Sequence, residues 1–307
     1  MSGTGAVEVW RGTVAAWECD GMGHLNVRFY VARATQGLAG AAAALGMPHA
    51  FASHAAATLI VREHHIRFLR EARAGALQHM TASVVAMGET DAVLQFVLTN
   101  SSTNETSATF LTKVVHASAR DGRPFPWPGR ARAAAAALTT SAATNAGPRS
   151  IDAGFEAAPP TPAAAAARGL AQAGLSVVTA EDCDVFGRLR TEMFMGRMSA
   201  SIGHTVEPFR KAAQAAVPEV RLGGAAMEYR LVYFEHPRAG DRIAVHSGLV
   251  GVDRKMARMR HWLLDPHTGA PWAVAENVSV NFDLDTRKAV LIPAGAVEAL
   301  QASVVKG

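Results

Sequence analysis

The chain of 307 residues is long enough for two domains of ordinary size. With 49% hydrophobic and 18% charged residues it has the composition of a globular protein, which excludes an intrinsically disordered chain. Its net charge of +4 is small and its Lys and Arg residues are scattered along the chain, so we expect no nucleic-acid partner.

The N-terminal residues lack the basic and then apolar pattern of a secretory signal. No apolar run is long and clean enough to span a bilayer. We therefore expect a cytoplasmic protein that makes no membrane contact. The two cysteines, Cys19 and Cys183, show no CxxC spacing, so the sequence predicts neither a metal site nor a redox motif, and we expect no cofactor.

The first half of the chain begins with a short strand at residues 7–16 and a loop around Asp20. Residues 27–45 are apolar nearly all round, which predicts a long helix enclosed on most sides. Three or four extended segments follow, and an Ala-rich helix at 131–138 closes this half. Residues 139–167 consist mainly of Ala, Thr, Ser, Pro and Gly, which predicts a linker with a helical turn near each end.

The second half repeats this order of elements. Asp20 and Asp184 lie 164 positions apart in the sequence, as do Gly23 and Gly187, which indicates an internal duplication. Apolar and polar residues alternate along 278–284, as is typical of half-buried antiparallel strands. One enclosed helix with one antiparallel sheet in each half is an α+β arrangement.

The most informative motif is Asp20-Gly-Met-Gly23-His24-Leu-Asn26, followed by Tyr30. It resembles the D-x-x-G-H-x-N signature, with a Tyr at the start of the helix, of the hotdog-fold thioesterase superfamily. The resemblance is to the 4-hydroxybenzoyl-CoA thioesterase-like and acyl-ACP thioesterase-like branches, and it covers both halves but not the linker. It implies a tandem double hotdog with a first hotdog domain at 1–138, a linker at 139–167 and a second hotdog domain at 168–307.

Thioester hydrolysis requires a carboxylate that attacks the carbonyl carbon or activates water, and Asp20 is placed for either role. The backbone amides near Gly23 and His24, at the start of a helix, are placed to stabilise an oxyanion. His24 would hold water or the carbonyl oxygen, and Asn26 would orient Asp20. A purely structural interpretation makes Asp20 a turn residue and Asn26 a helix cap. Tyr30 is either a pocket wall or a core residue.

The second half departs from this motif. Arg188 stands at the position of His24, Arg190 at that of Asn26, and Phe194 at that of Tyr30. Because guanidinium groups pair readily with carboxylates, we expect both arginines to pair with Asp184, which would leave this second site inactive. Arg188 and Arg190 then either bind the phosphates of coenzyme A or form a structural salt bridge.

Other residues carry weaker predictions. His64 and His65 are neighbours in a predicted strand, so they should face opposite sides and cannot jointly bind a metal. Glu63 and Glu228 occupy matching positions, 165 apart, in matching strands. One of them is either a second carboxylate of the site or, as is more common for such residues, solvated. In paired hotdog domains the substrate lies between the helix of one and the sheet of the other. The resemblance therefore implies that an acyl chain runs along the first helix, past Leu38, Ala39 and Ala42.

We expect hydrolysis of an acyl-CoA to a free acid and CoA. The motif does not separate this from an acyl-ACP thioesterase, nor does it distinguish covalent attack by Asp20 from general-base catalysis. A hotdog dehydratase would need a different helix motif. A non-catalytic acyl-thioester-binding protein would be expected to have lost His24 and Asn26, as the second half has. The sequence leaves homo-oligomerisation open.

Overall fold

The computed structural model describes residues 5–152 and 159–305. Residues 153–158, inside the predicted linker, lie outside the described residues. The chain divides into two compact units. Unit 1 contains Met1–Gly147 and Glu181–Glu192, and unit 2 contains Pro148–Ala180 and Met193–Gly307. The motif loop of the second repeat thus belongs to unit 1.

Unit 1 is built on an antiparallel five-stranded sheet with a long helix against it. The strand order is β1-β3-β4-β5-β2, with every pair antiparallel. This arrangement confirms the α+β prediction for the first half. The elements are β1 (Val7–Thr13), α1 (Val27–Ala44), β2 (Ala57–Phe68), β3 (Leu77–Met87), β4 (Asp91–Asn100), β5 (Thr106–Ser118) and α2 (Gly129–Leu138).

Helix α1 lies close against the sheet because two of its residues have no side chain. A Cβ on Gly37 would come within 2.8 Å of the sulfur of Met80 in β3. A Cβ on Gly40 would come within 2.6 Å of the carbonyl oxygen of Val9 in β1. Such distances are shorter than any normal contact, so this close approach of helix to strand requires glycine. The apolar helix predicted from the sequence is therefore confirmed as the enclosed element.

The second repeat has the same strand order, β6-β8-β9-β10-β7, again antiparallel. Its helical segment differs from the prediction of one long helix, because it is divided at Ile202. Pro208 lies inside α5, which continues through it although proline lacks an N–H group for the helical ladder. The elements are α3 (Pro162–Arg168), β6 (Ala171–Val177), α4 (Thr191–Ser201), α5 (Gly203–Ala216), β7 (Leu222–Tyr233), β8 (Arg242–Val252), β9 (Met256–Leu264), β10 (Pro271–Asp283) and α6 (Ala294–Gln301).

The N-terminal part of the predicted linker is bonded to the sheets. In unit 1, the amide of Ala143 donates to Gln95 in β4 at 2.7 Å. In unit 2, the amides of Arg149 and Ser150 donate to the two carboxylate oxygens of Glu228 in β7, at 2.9 and 2.8 Å. Glu228 is buried, so of the two alternatives stated for this residue the solvated one is wrong. Its carboxylate is buried because backbone amides of the linker satisfy it.

Three polar side chains meet inside unit 2 across three adjacent strands. Ser247 Oγ lies 2.7 Å from His261 Nδ1, and His261 Nε2 lies 2.8 Å from Asn277 Oδ1. Since Asn277 Oδ1 only accepts, Nε2 carries the proton and Ser247 donates to Nδ1. All three side chains are buried. Burial lowers the pKa of His261 to about 4, although its hydrogen bond with Asn277 acts in the opposite direction.

Candidate active site

The loop before α1 is a short hydrogen-bonded turn. The amide of Asp20 donates to the carbonyl of His24 at 2.9 Å, and the amide of Gly23 donates back to the carbonyl of Asp20 at 2.9 Å. Gly23 adopts a φ of +78°, a conformation that residues with a Cβ rarely adopt, although the space around it is open. The amide of Leu25 donates to the carbonyl of Ala72, which ties the loop to the segment between β2 and β3. The turn therefore holds Asp20 and His24 on one small, fixed frame.

Asp20 and His24 are in direct contact. Oδ2 of Asp20 lies 3.1 Å from Nδ1 of His24, and the two side chains are 21% and 13% exposed. Oδ1 of Asp20 accepts from the amide of Met22 at 2.9 Å. Burial raises the pKa of Asp20, but the hydrogen bond and charge of His24 and the amides of Met22 and His24 outweigh it, and the pKa lies below its ordinary value of 3.8. Asp20 is therefore ionised at neutral pH, as a base or nucleophile must be.

Asn26 and Tyr30 occupy structural positions beside this pair. Oδ1 of Asn26 accepts from the amide of Arg28 at 2.9 Å and caps α1. Tyr30 is buried, with its ring edge-on to that of Phe68 at 5.1 Å, and its hydroxyl donates to the carbonyl of Arg70 at 3.5 Å. Burial raises the pKa of the Tyr30 phenol above its ordinary value of 10.0. The structure thus places Asn26 as the cap of α1 and Tyr30 in the core, while any further role of either stays a prediction.

The three residues predicted to line an acyl path differ in exposure. Leu38 and Ala42 lie one turn apart on the buried face of α1. Ala39 is exposed. A path enclosed by α1 would therefore touch Leu38 and Ala42 rather than Ala39.

The loop of the second repeat has the same backbone as the first. The amide of Asp184 donates to the carbonyl of Arg188 at 2.8 Å, and the amide of Gly187 donates to the carbonyl of Asp184 at 3.0 Å. Gly187 has a φ of +73°, matching Gly23. Oδ1 of Asp184 accepts from the amides of Phe186 and Arg188. The duplication has therefore kept the turn, and the two loops differ in the side chains they present.

The two arginines of this loop do not bind as expected. The sequence predicted that both would pair with Asp184. Instead, Arg188 is buried and its Nη2 donates to the carbonyl of Ala119, just after β5, at 2.7 Å. Arg190 pairs with Glu192 at 3.1 Å. Arg188 is thus bound by a tertiary contact with a distant part of unit 1, whereas Arg190 pairs with a carboxylate only two positions further along the chain.

Sequence reasoning missed three residues next to the motif. Glu18 and Arg33 form an ion pair of 2.8 Å, in which Arg33 is buried and Glu18 is half-buried. Trp17 is 83% exposed on the short 3-10 turn that precedes Asp20. One available signal was the repeat itself, since Arg33 and Arg197 are 164 positions apart, the same separation as Asp20 and Asp184.

Within residues 5–152 and 159–305, no group of three or more His, Cys, Asp or Glu side chains is arranged to hold a metal ion. In the same part of the chain, no helix is long and apolar enough to cross a membrane.

Solved structures of similar fold include thioesterases. An acyl-ACP thioesterase from Bacteroides thetaiotaomicron superimposes with a TM-score of 0.65 at 9% identity, over 90% of this chain and 98% of that one. The 12:0-ACP thioesterase from Umbellularia californica gives 0.60 at 11% identity, over 90% and 94%. A protein of Lactobacillus plantarum, provisionally assigned as an oleoyl thioesterase, gives 0.67 at 13% identity, over 91% and 98%. At such identities the likeness shows the fold alone.

A search of curated protein sequences gave no significant match. A family model described as the thioesterase-like superfamily, however, matches residues 14–137 and again residues 178–301. The two matches agree with the duplicated motif and cover most of the chain. The chain therefore belongs to the thioesterase-like superfamily, as a tandem double hotdog whose general chemistry is thioester hydrolysis.

Proposed function

We propose that this protein hydrolyses acyl-CoA thioesters to a free carboxylic acid and CoA, with Asp20 as the general base or nucleophile. The observation that carries the proposal is the ionised Asp20 carboxylate, held 3.1 Å from His24 on a fixed turn before α1. The proposal includes two hotdog domains, at 1–138 and 168–307, joined by a linker at 139–167.

In the general-base form, Asp20 takes a proton from a water molecule whose oxygen adds to the thioester carbonyl carbon. The carbonyl oxygen becomes an oxyanion, which the amides of Gly23 and His24, in the loop before α1, would stabilise. In this structure those amides face the carbonyl and the carboxylate of Asp20, so the proposal requires that they be shared with the substrate. The carbon–sulfur bond then breaks, and the proton held by Asp20 passes to the leaving thiolate. In the nucleophilic form, the carboxylate of Asp20 itself adds to the carbon, the carbon–sulfur bond breaks and the thiolate leaves, which forms an anhydride. Water then cleaves the anhydride into the free acid and the Asp20 carboxyl group, whose proton passes to the thiolate.

The carrier is the finer part of the proposal. The protein from Bacteroides thetaiotaomicron is an acyl-ACP thioesterase, so an acyl-ACP substrate is the second candidate. We expect the purified protein to release thiol from acyl-CoAs in a colorimetric assay, with a specificity constant at least as high as for the same acyl groups on ACP. Hydrolysis of acyl-ACP alone would contradict the CoA assignment. Binding of both without thiol release would indicate a non-catalytic thioester-binding protein.

Within this proposal, the acyl chain runs past Leu38 and Ala42. Ala42→Val should lower the specificity constant for long acyl chains more than for short ones, because overpacking costs roughly 1–3 kcal/mol in a filled site. Ala39→Val, on the exposed face of the same helix, is the matched control and should change little. The measurement is kcat/KM across acyl-CoAs of increasing length. An equal loss at every length would show general damage to the fold and contradict this path.

A further inference from the structure

A buried arginine connects helix α1 to the loop that carries Asp20. Arg33 is 2% exposed, and its guanidinium donates to both carboxylate oxygens of Glu18, at 3.1 and 2.8 Å. Its Nε donates to Gln78 in β3 at 3.2 Å, and it lies over the ring of Trp10 at 5.1 Å. These contacts fix the position of the guanidinium group, and its two hydrogen bonds in turn fix the position of the Glu18 carboxylate.

Glu18 passes this constraint to the reacting loop. Its carboxylate also accepts from the amide of Ala15 at 2.8 Å. Its carbonyl accepts from the amide of Asn26, the cap of α1, at 2.9 Å. The turn that begins at Asp20 and ends at His24 lies between these two anchored residues. Movement of Glu18 would therefore move Asp20 relative to the start of α1.

An ion pair with one buried partner and one half-buried partner is weak evidence for added stability, because the cost of taking the charges out of water offsets much of their attraction. Two well-packed apolar side chains would serve a purely structural purpose at least as well. What the pair supplies is a fixed geometry, since a bidentate guanidinium–carboxylate contact allows little freedom of distance or angle.

We propose that Arg33 is a positioning residue for Asp20, acting through Glu18. This inference rests on the proposed function for its kinetic readout only. Arg33 touches neither substrate nor the reacting atoms, and its effect is to keep the Asp20 carboxylate against its partners on the turn and in line with the start of α1.

The kinetic test uses the full-length protein, an acyl-CoA that it hydrolyses, and temperatures at which circular dichroism shows each variant folded. Arg33→Met should lower kcat by roughly tenfold to a hundredfold with a smaller change in KM, as expected when a reacting group is displaced by about 1 Å. Arg33→Lys, which keeps the charge but not the bidentate contact, should recover part of that loss.

Two comparisons separate positioning from simple stabilisation. In the double variant Glu18→Gln/Arg33→Met no buried charge is left unpaired, so its Tm should rise above that of Arg33→Met while kcat stays low. Arg197→Met is the matched control, because Arg197 occupies the equivalent position in the repeat and donates to the carbonyl of Val177. It should leave kcat unchanged. Recovery of kcat together with Tm, or an equal loss in Arg197→Met, would overturn the proposal.

A second readout does not depend on turnover. The pKa of Asp20 lies below its ordinary value partly because His24 and the amides of the turn face its carboxylate. Displacement of the loop weakens those contacts, so the pKa of Asp20 should rise in Arg33→Met. This pKa is measured by carbon-13 NMR of the aspartate carboxyl groups, with Asp20→Asn used to assign the Asp20 signal. An unchanged pKa would overturn the positioning role. If wild type releases no thiol while Arg33→Met still raises the pKa, the proposed function fails and the positioning role stands.

Discussion

Replacing Asp20 by asparagine should lower thiol release by roughly 10²- to 10⁴-fold, the range that a general base contributes. Asparagine has nearly the same shape, and its oxygen can still accept from the amide of Met22, which lies 2.9 Å from Oδ1 in the wild type. It cannot take a proton or attack as a carboxylate does. The Tm should therefore change little while kcat falls. The measurement is a steady-state thiol assay alongside thermal unfolding.

The repeat offers a matched control for this prediction. Asp184 lies on a turn with the same backbone, but Arg188 replaces the histidine and its side chain is bound to the carbonyl of Ala119. Asp184→Asn should keep most of the turnover. Near-normal activity in Asp20→Asn would refute the mechanism. Equal inactivity of the two variants, both folded, would show that the second loop takes part in the reaction.

Acid should destabilise the protein between about pH 6.5 and pH 4 through His261. Its pKa is lowered from 6.5 in the unfolded chain to about 4 in the fold, mainly because the ring is buried. The folded state thus binds fewer protons than the unfolded state in this window, so stability rises with pH and is lost as pH falls. The full shift corresponds to about 3 kcal/mol of unfolding free energy. The lowered pKa of Asp20 does not affect this window. Its stabilising contribution is present above the ordinary value of 3.8 and is lost only as the pH falls below that value.

The first repeat carries other residues at the positions of this buried triad, which suggests a variant whose stability should depend less on pH. The residues at the positions matching Ser247, His261 and Asn277 are, 165 places earlier, Ala82, Phe96 and Thr112. The triple variant Ser247→Ala/His261→Phe/Asn277→Thr should flatten the pH dependence of urea unfolding across this window. His54→Gln, on the surface, is the control and should follow wild type. A wild-type protein equally stable at both ends of the window would contradict the role of His261.

Much of the fold was predictable from the sequence because it depends on short-range patterns. The apolar residues of α1 predict an enclosed helix, and the alternation along 278–284 predicts a strand; each pattern lies within a single element. The turn at Asp20 likewise depends on Gly23, which adopts a positive φ, and on Asn26, which caps the helix. Because the duplication preserved these local signals, the matching turn at Asp184 could be identified although its other side chains had changed.

The break at Ile202 is a local feature that was not predicted from the sequence. The second half was predicted to have one long helix, yet the segment divides into α4 and α5. Pro208 marks this segment as a weak helix former, but it lies inside α5 and not at the break. The exposure of Ala39 was not visible in the same way, because neighbouring small residues in an Ala-rich helix look alike in sequence.

Only the tertiary structure decided which long side chains meet. Arg188 reaches Ala119 and Arg33 reaches Glu18 because folding brings those acceptors within hydrogen-bond distance. Ser247 and His261 face each other only through the register of β8 and β9. The sequence by itself determined the repeat, the helix-and-sheet pattern and the turn that presents Asp20. It could not determine these pairings, because the partner of a buried polar group is set by strand register and packing between residues far apart in the chain.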